Sequence, residues 1–87
     1  MNKNNLFLNW LSIELEDKTL AETLRLINAE LGTTYQSNWP SKMKKTGYKI
    51  ESIPKPVRQY MMRIVLPRLI DKGYTKKQLE KLVDGLT

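Results

Sequence analysis

The 87-residue chain has no cysteine and no histidine. The first absence excludes disulfides and thiolate metal sites, and the second removes the commonest general base and zinc ligand. Glycine is sparse: Gly32, Gly47, Gly73 and Gly85 stand alone, so no glycine-rich phosphate loop can form. Long apolar runs are missing as well. Leu6-Phe7-Leu8 is broken at Asn9, and acids follow at Glu14, Glu16 and Asp17, so neither a signal peptide nor a membrane span is expected. A cytoplasmic location follows as the expectation. Those three acids lack a basic partner in the pattern, which reads as a solvated helix end rather than an acid–base pair. Tyr35, Tyr48, Tyr60 and Tyr74 have no evident activating group. No enzyme, cofactor, metal or small-molecule substrate is expected.

What the chain does have is the composition of an ordinary globular domain, 40% apolar and 28% charged. Its length suits one domain, residues 1–87, with one modest core. No segment shows the sustained two-residue alternation of a strand, so the fold class expected is all-α, a compact bundle of about five short helices.

The helices are signalled locally. Asn4 or Asn5 can cap a first helix carrying Phe7, Trp10 and Leu11, which should stop near Asp17-Lys18. Thr19 and Glu22 form a capping box, and Leu20, Leu24, Ile27 and Leu31 line one face up to a stop at Gly32. A short third helix, capped by Ser37 or Asn38 with Pro40 in its first turn, runs to about Thr46 and ends at Gly47. Trp39 and Met43, one turn apart, are its core contacts; Ser41, Lys42, Lys44 and Lys45 face outward. Tyr48 to Ile53 reads as a loop. Pro54 opens a fourth helix with Val57, Tyr60, Met61, Ile64 and Val65 as its apolar face, and Pro67 should kink or restart it. Thr75 and Gln78, with Tyr74 and Leu79 as a staple, begin a fifth helix bearing Leu79, Leu82, Val83 and Leu86.

Charge is distributed unevenly. Residues 1–39 hold three Lys and Arg against five acids, a net −2, whereas residues 40–87 hold twelve against four, a net +8. The densest stretch, Asn38 to Tyr60, sets Lys42, Lys44, Lys45, Lys49, Lys55 and Arg58 around the single acid Glu51. Cations interleaved with hydroxyls and aromatics suit phosphates, and a short helix of exposed Ser, Lys, Asn and Gln suits the major groove.

Helix two with Gly32, the polar helix ending M-K-K-T-G and the loop closing I-P-K-P-V-R-Q-Y-M resemble the helix-turn-helix of small Cro-type phage repressors and related XRE-family regulators. The resemblance spans roughly Thr19 to Met61. Met43 or Trp39 stands where the family has an aromatic, and Gly47 and Ile53-Pro54 match its closing elements. It implies a repressor-like regulator of a phage or mobile element that binds a palindromic duplex operator as a homodimer. Carried over by position, Gln36, Ser37, Asn38, Ser41, Lys42 and Lys45 lie at or near base edges. Lys44 joins the DNA-facing set, and Thr46, Lys49, Lys55 and Arg58 hold the backbone, with the positive helix end at Pro54 turned to a phosphate.

Assembly has its own signal. Val57, Met61, Met62, Ile64, Val65, Leu66, Leu69 and Ile70 nearly encircle the fourth helix, more apolar surface than one small core needs. A dimer through residues 57–86 is expected, with Leu69 at the interface and two third helices about 34 Å apart. Two other functions compete. One is a small basic interaction module, such as a phage-encoded inhibitor covering an acidic host protein. The other is single-stranded nucleic-acid binding, which requires Trp39, Tyr35 and Tyr48 to be exposed.

Overall fold

The first two helices begin where a polar side chain caps the backbone, and the third and fourth begin with proline in the first turn. The computed structural model describes residues 5–75 and 77, which form α1 (Leu6–Glu14), α2 (Leu20–Leu31), α3 (Trp39–Lys45) and α4 (Lys55–Asp71), with a 3₁₀ turn at Ile50–Ser52. No strand occurs among the described residues. The fifth helix expected beyond Thr75 falls largely outside them.

Asn5 caps α1, its Oδ1 accepting from the Leu8 amide at 2.9 Å, and Thr19 caps α2 by accepting from the Glu22 amide at 3.1 Å. Gly32 closes α2 in the left-handed region at φ 67°, where a side chain would be strained. Gly47 does the same after α3 at φ 73°, and Tyr48 follows it at φ 58°. Two consecutive left-handed residues reverse the chain sharply, so that Thr46 N, Tyr48 N and Thr46 Oγ1 all donate to the Met43 carbonyl.

The core takes Leu6, Phe7, Trp10 and Ile13 from α1, Leu24 and Ile27 from α2, and Trp39 and Met43 from α3. Ile53 and the α4 series Val57, Met61, Val65 and Leu69, at steps of four, complete it. The most extensive helix pairing is α1 on α4, with α2 against α4 a smaller one. An aromatic cluster joins α1 to α3: Phe7 meets Trp39 edge-on at 5.2 Å, and Trp10 lies 5.8 Å from Trp39. The radius of gyration is 12.6 Å, against about 12 Å for a compact domain of this length.

Two expectations are corrected. The fourth helix is not restarted at Pro67, because α4 runs unbroken from Lys55 to Asp71. Pro67 lies on the exposed side, and the continuous buried face on the other side outweighs the one ladder bond lost to proline. Leu69, expected at a dimer interface, is 2% exposed and belongs to the core.

Candidate nucleic-acid interface

Trp39 and Met43 anchor α3 by burying one edge of a seven-residue helix. That leaves Ser41, Lys42, Lys44 and Lys45 exposed on the other. The three lysines occupy the last turn, where they also complement the negative end of the helix dipole. Lys49 and Lys55, exposed on either side of the 3₁₀ turn, extend the cationic surface. None of these five lysines forms an ion pair with a described residue; the ion pairs there are Lys18 with Glu14 and Asp17, and Arg68 with Glu16.

The connection from α2 to α3 is held by one side chain. Asn28 Oδ1 accepts from the Tyr35 amide at 2.9 Å and from Thr33 Oγ1 at 2.8 Å, while its Nδ2 donates to the Tyr35 carbonyl at 2.9 Å. Tyr35 then stacks on Trp39, ring centroids 3.7 Å apart and planes within 10°. Burial pushes the Tyr35 phenol above the ordinary tyrosine range. Gln36, Ser37 and Asn38 are thereby presented, exposed, at the entrance of α3. A cleft of about 300 Å³ gathers Gln36, Asn38 and Lys42 beside Thr34, Tyr35 and Trp39.

Two of the expected contacts sit differently from the rest. Thr46 is exposed, but its hydroxyl proton is donated to the Met43 carbonyl at 2.8 Å and so is not offered to a phosphate. Arg58 is half-buried on the first turns of α4, with its Nε enclosed. Trp39 is 8% exposed, so it is no platform for stacking bases. α4 itself opens at Pro54 with no side-chain cap and no acid in its first turn.

The sequence reading missed Asn28, and it weighed Tyr35 only as a base-stacking ring or an unactivated phenol, not as the partner of Asn28 and Trp39. Nothing at the level of spacing distinguishes Asn28 from any other polar residue on the outer side of α2, since its partners lie seven residues ahead in a loop. No protein-family model, curated protein or solved structure matches the chain. Among the described residues no helix is long and apolar enough to cross a membrane, and no cluster of potential metal ligands occurs.

Proposed function

We propose that the chain is a sequence-specific duplex DNA-binding regulator, repressor-like, in which α2, the 32–38 connection and α3 act as a helix-turn-helix. The observation that carries this reading is the set of five exposed lysines, unmatched by described acids, grouped around a short helix fixed by Trp39 and Met43. In this reading Gln36, Asn38, Ser41 and Lys42 meet base edges, where amide and ammonium donors discriminate between base pairs. Lys44, Lys45, Lys49 and Lys55 neutralise phosphates and release counterions. Function as a homodimer on a palindromic site belongs to the same proposal.

Selection of bound sequences from random duplexes, followed by binding measurements on the selected site, tests it. The expected outcome is an enriched motif with inverted-repeat symmetry. Failure to enrich any motif, together with tight binding to an acidic protein, would favour the interaction-module reading instead.

A further inference from the structure

α4 carries apolar side chains beyond its innermost face, and of these Met62 packs at the edge of the core while Leu66, Pro67 and Ile70 lie further out. Val57, Met61, Val65 and Leu69 point inward. Around the helix from them, Met62 and Leu66 are half-buried, and Pro67 and Ile70 are exposed, Ile70 by 55%. Met62, Leu66 and Pro67, with Gln59 and Arg63, form the walls of an open groove of about 430 Å³. A partly exposed aliphatic stripe beside an open groove is a surface that a partner can cover.

The stripe has the form required by a second copy of the same chain. Met62, Leu66 and Ile70 repeat at steps of four, so they read alike in either direction about Leu66. The charges flanking them are also placed symmetrically: Arg63 lies four residues before Pro67 and Asp71 four after, each about 6 Å along the axis. Both charged side chains are exposed. In a two-fold interface, whatever residue i meets, its counterpart meets in return. Two antiparallel α4 helices crossing at Leu66 therefore bring Met62 over the partner's Ile70, and Arg63 to within two residues of the partner's Asp71, about 3 Å along the axis and inside the reach of an arginine side chain, twice over. A parallel arrangement would set Arg63 against Arg63 and Asp71 against Asp71.

We infer that this outward face of α4 is a self-association surface, an antiparallel α4 pair with reciprocal Arg63–Asp71 contacts. The inference rests on the homodimer part of the proposed function, and it replaces Leu69 by Leu66 and Ile70 as the residues at the interface.

Sedimentation equilibrium of the full chain without DNA, with helical content followed by circular dichroism, tests it. The wild type is expected to dimerise at micromolar concentration. Arg63→Glu and Asp71→Arg, each alone, should weaken the dimer about tenfold or more, because every copy of the pair turns repulsive twice. An equimolar mixture of the two variants should regain dimerisation, since both contacts in the mixed dimer are again between opposite charges. Leu66→Glu should abolish it by placing two carboxylates near the axis; should that variant fail to fold, the two exposed charge swaps decide. If the mixture does not regain what the single variants lose, the antiparallel pairing is wrong. A dimer indifferent to all three variants would overturn this surface while leaving the homodimer reading intact. A strict monomer would overturn both, leaving the face to residues 76–87 or a foreign partner, and DNA binding, measured separately, would stand or fall independently.

Discussion

The side-chain amide of Asn28 pairs with the backbone of Tyr35 at both ends, accepting from its N–H and donating to its C=O at 2.9 Å each. Seven residues of sequence are folded back by this pair, and the stack of Tyr35 on Trp39 passes the constraint to α3. An unpaired buried amide is costly, so the loop conformation and the side chain specify one another.

Asn28→Ala should therefore destabilise the chain by about 1–3 kcal/mol, measured by urea unfolding. It should also reduce DNA affinity beyond the stability effect, because Gln36 and Asn38 lose their fixed presentation. Asn28→Asp keeps the acceptor for the Tyr35 amide but loses the donor to its carbonyl, and should fall between Ala and wild type. Equal stability of all three would show that the loop is held elsewhere.

Leu69 and Leu66, three residues apart on α4, should respond oppositely to the same change. Leu69→Ala should cost about 2–5 kcal/mol as a core truncation. Leu69→Glu, which buries an unpaired charge in a domain with about 5–15 kcal/mol of stability, should unfold it. Leu66→Glu should retain the wild-type circular dichroism. If Leu69→Glu stays folded, the inward and outward faces of α4 have been exchanged.

Tryptophan emission reports the core directly. Trp10 is fully buried and Trp39 nearly so, which predicts blue-shifted emission and weak quenching by iodide, free or DNA-bound. A strongly quenched component that becomes protected on adding single-stranded oligonucleotide would point to base stacking by Trp39.

Alkaline titration reports the Tyr35 stack. Burial favours the neutral phenol, so its pKa in the folded chain lies above that in the unfolded chain. Its contribution to stability is full below the unfolded value and is lost as pH rises through the folded one. Tyr35→Phe should flatten that alkaline loss; an unchanged pH profile would assign it to another group.

Much of the architecture was legible because it is local. Thr19 and Gly32 bracket α2 with a cap and a left-handed stop, and the series Leu24–Ile27 and Val57–Met61–Val65 declare inward faces by spacing alone. Pro67 misled because helix breaking is judged locally, whereas the helix is held by burial on its opposite side. Leu69 misled for a related reason: an all-round apolar helix does not reveal which side the core will take. At the site, the lysines were visible as composition, but the Asn28–Tyr35 pair and the internal engagement of the Thr46 hydroxyl depend on the path of the loops, which periodicity does not encode.

Within the basic surface, substitutions should separate into two kinds. Lys45→Ala and Lys49→Ala should weaken every duplex alike and each reduce the salt slope by about 1. Lys42→Ala and Gln36→Ala should change the preference among sequences, costing about 1–3 kcal/mol on the selected site and less elsewhere. Competition binding against a panel of single-base variants distinguishes the two patterns. If Lys42→Ala scales all sequences equally, the cleft does not face the bases.

The most direct test of DNA binding is the salt dependence of affinity for the selected duplex, read by fluorescence anisotropy. Neutralisation of several phosphates by the exposed lysines predicts that affinity falls by orders of magnitude between roughly 50 and 200 mM salt. A flat salt response, or no duplex bound at low salt, would contradict the account.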